Sequence, residues 1–93
     1  MKIFHRVIGF DWDKGNINKN LKHHVTNQEA EEVFYDVRKK IVKKISEKNE
    51  KRWIIMGSTK TQRMLFVVYT IRKNKIRVIS ARDLNKKERL LYA

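Results

Sequence analysis

Residues 51–82 read KRWIIMGSTKTQRMLFVVYTIRKNKIRVISAR, and this stretch decides the fold. It holds three apolar runs rich in β-branched and aromatic residues, which favour strands. The middle run, RMLFVVYTI at 63–71, is continuous, as expected of a central strand covered on both faces. The segments TKTQ (59–62) and RKNK (72–75) are short enough for tight turns. Strands joined so closely predict an antiparallel meander.

The segment just upstream, VRKKIVKKI at 37–45, is compatible with two structures. Val37, Ile41 and Ile45 recur at a spacing of four, which fits a helix. They also share one face with Lys39 and Lys43 at a period of two, which fits a strand. The β-branched content favours a fourth strand. Its lysines then either keep an edge strand soluble or receive an acidic partner.

The N-terminal half supplies the helices. A strand is predicted over Arg6–Trp12, followed by a turn at Gly15 and Asn16. Residues 16–24, NINKNLKHH, predict a first helix, and residues 26–36 predict a second. Thr26 and Glu29 have the spacing of a capping box.

The last segment, NKKERLLY at 85–92, predicts a short C-terminal helix in which Asn85 is the cap and Glu88 the matching third residue. The whole pattern predicts an α+β fold. In it an antiparallel sheet carries the two N-terminal helices packed on one face, with the short helix closing the chain.

Composition limits what the protein can be. With 93 residues of which 41% are hydrophobic, the chain predicts one globular domain over residues 1–93. We find no apolar run near the length of a membrane span and no signal peptide. The absence of cysteine suits a reducing compartment, so we expect a cytoplasmic protein that does not bind membranes.

Charge is unevenly distributed along the chain. The net charge is +13, and between Lys51 and Arg82 there is no carboxylate. We therefore expect that ion pairs within the second half cannot satisfy its cations, and that the surface binds nucleic acid or an acidic protein. The alternative is a solvated basic face that only aids solubility.

Several short stretches, taken in order, resemble one family. They are FDWD in the first strand, KNLKHHV and EAEEVF in the two helices, RWIIMG in the meander, and IRVISARDLNKKERLLY at the end. Together they run from about Phe10 to Tyr92 and resemble the BrnT toxins of type II toxin–antitoxin systems. The resemblance implies a RelE-like fold, a ribonuclease that inhibits translation, and a BrnA-type antitoxin. It also implies operator DNA binding through the antitoxin complex alone.

Cleavage of RNA without a metal needs a base for the 2′-hydroxyl, cations for the charged transition state and an acid for the leaving oxygen. The sequence has no acidic cluster of the kind that holds two metal ions, and we expect no metal and no cofactor. Arg77 and Arg82 are the first candidates to bind the phosphate, because a guanidinium fork matches phosphate oxygens. The alternative is that they pair with Asp11, Asp13 or Glu88.

The remaining catalytic candidates are Tyr92, Glu88 and His23. Tyr92 can act as an acid if nearby cations lower its pKa, or it can simply close the core. Glu88 lies one helical turn before Tyr92 and can be a base or only a helix cap. His23 and His24 are adjacent, so only one of them can enter a site, and either can instead cap a helix end. The spacing leaves open which of the two holds the family position.

Further cations are predicted to contact RNA: Arg52, Lys22, Arg89 and Lys60. For Arg52 the alternative is a solvated strand end. Trp12 and Trp53 can stack on bases, although core packing is more typical of such residues.

Three functions follow from these features. The first is a metal-independent endoribonuclease toxin. The second is a non-catalytic basic module that binds nucleic acid, and the third is a structural partner for an acidic protein. The first two predict salt-dependent RNA binding, and only the first predicts turnover.

Overall fold

The computed structural model describes residues 7–47 and 50–92. Arg6 of the predicted first strand lies outside these ranges, and for Lys43 the structure describes the backbone alone. Within these ranges, four strands form one antiparallel sheet in the order β1-β2-β3-β4. They are β1 (Lys40–Glu47), β2 (Glu50–Ser58), β3 (Met64–Arg72) and β4 (Lys75–Asp83). The predicted meander and the α+β class are confirmed.

In the described part of the chain, three short helices accompany the sheet: a 3-10 helix (Lys19–His23), α1 (Asn27–Val33) and α2 (Lys86–Tyr92). The capping box of α1 is confirmed, because Thr26 Oγ1 accepts from the Glu29 N–H while Glu29 accepts from the Thr26 N–H. The first predicted helix is wrong in type, since only five residues form a 3-10 helix between residues with positive φ, Asn18 and His24.

The main core lies between α1 and one face of the sheet, which we call the helix face. Ala30 and Val33 of α1 pack there with Ile55, Val67 and Tyr69. Burial of the apolar side chains stabilises this layer. Trp53 stacks on Tyr69 with ring centroids 5.7 Å apart. The core interpretation of Trp53 is confirmed, and Trp12 also packs against this cluster while its indole donates to Glu31 at 2.6 Å.

The opposite face of the sheet, which we call the open face, carries alternate side chains of the strands. Among the described elements only α2 lies against it, at one end, where Tyr92 and Leu84 pack with Met56. This arrangement differs from the predicted pair of N-terminal helices on one face. The 3-10 helix lies instead along the outer edge of β4.

That edge is closed by two buried asparagines. Asn16 Nδ2 donates to the Val78 carbonyl at 3.1 Å, and the Ala81 N–H donates to Asn20 Oδ1 at 2.9 Å. These bonds satisfy strand groups that would otherwise be buried without partners. The predicted strand over Arg6–Trp12 is wrong in its extent, because Phe10 makes one isolated parallel bridge to Ile76.

Two bulges determine which side chains share a face. In β1 the register shifts between Ile41 and Lys43, so Ile41 lies opposite Ile55 while Ile45 lies opposite Arg52. The prediction that Val37, Ile41 and Ile45 share one face is therefore wrong, and Val37 precedes the strand with 93% of its surface exposed. A bulge inserts one residue and reverses the alternation beyond it.

The second bulge is in β4. Val68 lies opposite Ser80 and Tyr69 opposite Val78, which leaves Ile79 as the extra residue. Arg77, opposite Thr70, and Arg82, opposite Phe66, therefore project from the same open face although they are five residues apart.

Candidate functional site

Helix α2 brings its inward side chains to the open face. Glu88 and Tyr92 lie one turn apart, as predicted, and both point at the sheet. Glu88 contacts Arg82 of β4, and the Tyr92 hydroxyl lies 2.9 Å from Ser58 Oγ at the end of β2. On the other side, Lys40 Nζ donates to the Leu91 carbonyl at 2.8 Å. The helix is thus fixed to three strands.

Arg82 is held between a carboxylate and an aromatic ring. Its Nη1 and Nη2 donate to the two oxygens of Glu88 at 2.7 and 2.9 Å. Its guanidinium carbon lies 4.0 Å from the centroid of Phe66, which is a cation–π geometry. The side chain is still 40% exposed. An oriented and accessible fork of this kind is suited to a phosphate.

Glu88 caps α2 and also pairs with Arg82, the two non-catalytic alternatives of the sequence analysis. Its Oε1 accepts from the Asn85 N–H at 2.9 Å, and its own N–H donates to Asn85 Oδ1 at 2.8 Å. The cap is therefore confirmed. The hydrogen bond from Arg82 holds the pKa of Glu88 below its usual value against the opposing effect of burial, so Glu88 is a carboxylate at neutral pH.

Asp36 joins α2 to the rest of the site, and no local pattern in the sequence points to it. Its Oδ2 accepts from the Tyr92 hydroxyl and from the Ser58 N–H at 2.8 Å, and its Oδ1 accepts from the Arg38 N–H at 3.0 Å. Burial acts to raise the pKa of Asp36, but these bonds outweigh it and the net shift is downward. A cavity of about 260 Å³ opens beside this group.

Tyr92 is in the core rather than among cations. It is 8% exposed, and burial, followed by the hydrogen bond to Asp36, raises its pKa. The expectation that cations lower this pKa is wrong, because the nearest charged group is a carboxylate. The alternative interpretation, an aromatic side chain that closes the core, is confirmed.

A test of the Asp36 cluster is its contribution to stability. We expect Tyr92→Phe to lower the free energy of unfolding by about 0.5–1.5 kcal/mol, and Asp36→Ala by about 1.5–3 kcal/mol, because the carboxylate accepts several bonds. The two losses should not add, since both changes remove the same hydrogen bond. Urea unfolding measures these values.

Tyr35→Phe is the matched control, because Tyr35 is 75% exposed and should change stability by less than about 0.5 kcal/mol. Strictly additive effects of Asp36→Ala and Tyr92→Phe would show that the cluster is not a unit.

Arg77 lies at the other end of the open face. It binds Asp13 through two bonds of 2.9 Å and lies 3.4 Å from Asp11. The Cα atoms of Arg77 and Arg82 are separated by about four strand positions, roughly 13 Å. The structure therefore does not bring these two arginines to a single phosphate.

Within the described residues, four arginines of the second half pair with acids of the first half, beside the Arg82–Glu88 and Arg63–Asp83 pairs inside the second half. Asp13 binds Arg77, Glu50 binds Arg52 and Arg72, and Glu29 binds Arg63. Local lack of carboxylates in the sequence does not prevent this, because the fold places the two halves side by side. Pairing with Asp11, Asp13 or Glu88, the alternative stated for Arg77 and Arg82, is confirmed, whereas Glu50 and Glu29 were not predicted as partners.

Arg63 was not among the predicted site residues, although it links the end of β4 to the segment that carries the two histidines. It donates to Asp83 at 2.7 Å and to the carbonyl oxygens of His24 at 2.6 Å and His23 at 3.2 Å. Arg63 holds the pKa of Asp83 low, with a smaller contribution from both histidines. His23 is exposed, and through Arg63 its carbonyl lies near Asp83, the helix-face neighbour of Arg82 at the end of β4.

The predicted RNA-binding cations are spread over several surfaces. Arg52 is on the open face beside Glu50, at the end remote from α2. Arg89 is exposed on α2, Lys60 on the loop after β2, and Lys22 on the 3-10 helix. The structure does not gather these four around one point.

Two absences apply to the described residues alone. Within 7–47 and 50–92 no three His, Asp or Glu side chains are arranged to hold a metal ion. In the same ranges, no helix has the length and apolar character needed to cross a membrane.

Comparison with known proteins identifies a family. A family model described as "Ribonuclease toxin, BrnT, of type II toxin-antitoxin system" matches residues 12–88. The match includes the 3-10 helix, α1, the whole sheet and the first turn of α2 with Glu88. No curated protein matches the chain.

Proposed function

Because the chain belongs to the BrnT family of ribonuclease toxins from type II toxin–antitoxin systems, we propose that it cleaves RNA at the open face beside α2 without a metal ion. The observation that supports this location is the Arg82–Glu88 pair. It places a phosphate-binding fork and a carboxylate in contact on an exposed part of the sheet. A RelE-like fold is part of the same proposal.

In this proposal the substrate phosphate displaces Glu88 and binds the guanidinium of Arg82. Once it is bound to the phosphate oxygens, the Arg82 guanidinium stabilises the negative charge that develops around the pentacovalent phosphorus. The exchange also removes the main cause of the low pKa of Glu88, so the freed carboxylate becomes a better base. Glu88 then accepts the proton of the 2′-hydroxyl, whose oxygen attacks phosphorus as the bond to the 5′-oxygen breaks.

The other predicted site residues are proposed to position the catalytic groups, to donate a proton or to bind RNA. We assign Tyr92 to positioning, because its hydroxyl is committed to Asp36 and its raised pKa disfavours proton release. His23 remains the candidate acid for the leaving 5′-oxygen, since an imidazole can donate a proton and the His23 backbone lies at the Arg82 end of the sheet. Arg89 and Lys60, exposed at the same end, are proposed to contact RNA, as is Lys22 beside His23.

The toxin requires an antitoxin, and we propose a BrnA-type protein that also carries the DNA-binding part of the complex. Exposed apolar side chains on α2 support a protein partner there, because Leu90 and Leu91 are 75% and 63% exposed. The lysines of the β1 edge suit an acidic segment of such a partner. A cytoplasmic location follows from an RNA target.

The test is expression with and without the neighbouring antitoxin gene, together with RNA cleavage by the purified protein in EDTA. We expect growth arrest that co-expression relieves, and cleavage that EDTA leaves unchanged. Salt-dependent binding with no cleavage would favour the non-catalytic module, and negligible binding would favour a purely structural partner.

A further inference from the structure

A second group of cations occupies the end of the open face remote from α2. Glu50 bridges two arginines there: its Oε2 accepts from Arg52 Nε at 3.0 Å, and its Oε1 accepts from Arg72 Nη2 at 3.0 Å. A groove of about 140 Å³ lies over these side chains and over Thr70, and Lys19 and Arg77 complete its wall. We call this groove, with the four cations Arg52, Arg72, Lys19 and Arg77 that line it, the distal groove.

The distal groove keeps a surplus of positive charge. Its four cations face Glu50 and the carboxylates of Asp13 and Asp11, which belong to Arg77. Arg72 is 55% exposed and, within the described residues, gives a single nitrogen to Glu50. Because a guanidinium has five donors, Arg72 can bind a further anion while it stays paired. Glu50 thus orients the two arginines without neutralising the positive charge of both.

Between the distal groove and Arg82 the open face carries an apolar strip on β2 and β3, beside the exposed Ser80 of β4. Ile54 and Val68 lie opposite each other on β2 and β3, half-buried on the open face. Two cationic sites separated by an apolar strip match a single strand, whose phosphates bind the cations while its unpaired bases lie on the strip. In a duplex the bases would be stacked and shielded from such contact.

We infer that the distal groove is a second phosphate-binding site of the toxin and that its substrate is single-stranded RNA long enough to reach both ends of the open face. This inference rests on the proposed cleavage site at Arg82. The separation of roughly 13 Å between Arg77 and Arg82 requires more than a dinucleotide. A strand of about four nucleotides or more, the lower limit for single-strand sites, is expected to fill it.

The experiment compares the double variant Arg52→Gln/Arg72→Gln with the control Lys44→Gln/Lys51→Gln. The control removes the same charge from β1 and β2 but from the helix face, where both lysines are exposed. Binding of an eight-nucleotide DNA strand, which lacks the 2′-hydroxyl and is not cleaved, is measured from 50 to 300 mM salt. We expect the slope of log K against log salt to fall by about 0.7 for each phosphate that the variant no longer neutralises.

Lys19→Gln is a second variant that leaves the Glu50 ion pairs intact, so it tests the groove even if the double variant unfolds. We expect its slope to fall by about 0.7, whereas binding of a dinucleotide at Arg82 stays unchanged. If both variants gave the same slope as the control, the inference that the distal groove binds phosphate would be wrong. The unmodified toxin would still cleave RNA in that case, which separates this outcome from failure of the proposed function.

Discussion

Glu88→Gln should reduce the rate of RNA cleavage by about 10²–10⁴-fold, the range for loss of a general base. The change separates the two roles of this side chain. Glutamine at the third helical position preserves a capping box, since its carbonyl oxygen still accepts from the Asn85 N–H. It cannot accept the proton of the 2′-hydroxyl. Single-turnover cleavage of a labelled RNA measures the rate.

Circular dichroism and urea unfolding of Glu88→Gln should show an intact α2, with only the modest loss expected for one partly exposed ion pair. Oligonucleotide binding should be retained or strengthened, because Arg82 no longer has a carboxylate partner. A folded Glu88→Gln protein that cleaves at the normal rate would restrict Glu88 to its capping role.

Arg82→Ala should slow cleavage by about 10²–10³-fold, as is typical when one group that stabilises transition-state charge is removed. Its side chain is an exposed guanidinium on the open face in contact with Glu88, the proposed general base. Arg82→Lys should recover part of the rate, because an ammonium keeps the charge but lacks the planar fork.

Lys86→Ala is the matched control for Arg82→Ala. Lys86 is an exposed cation in the first turn of α2 with no role in the proposed mechanism, so its loss removes the same charge without touching the Arg82–Glu88 pair. We expect a small change through long-range electrostatics alone. Equal losses of rate in Arg82→Ala and Lys86→Ala would mean that general positive charge, rather than an oriented guanidinium, determines activity.

Local patterns predicted the meander, α1 and α2, although not the type of the first helix or the extent of the first strand. The meander was predicted from three β-rich runs with short connections, and the caps at Thr26 and Asn85 were predicted from residues three apart. These signals depend on neighbours in sequence, and the forces that produce them act over the same range. The Glu88–Tyr92 relation is of the same kind.

Features that depend on long-range packing were missed. Nothing around Ile79 indicates the extra residue that turns Arg77 and Arg82 to one face. Asp36 follows α1 and Ser58 ends β2, so their meeting with Tyr92 requires three distant segments to be placed first. Arg63 pairs with Glu29, 34 positions away, for the same reason. Charge counts along the chain do not reveal such partners.

The most direct test of metal-independent cleavage at the open face is the chemistry of the RNA ends. Purified protein in EDTA should produce 2′,3′-cyclic phosphate and 5′-hydroxyl ends, because the 2′-oxygen displaces the 5′-oxygen at phosphorus. An RNA with 2′-deoxyribose at the cleaved position should bind and stay intact. Products with 5′-phosphate ends, or cleavage that stops in EDTA and returns with a divalent metal, would contradict the account.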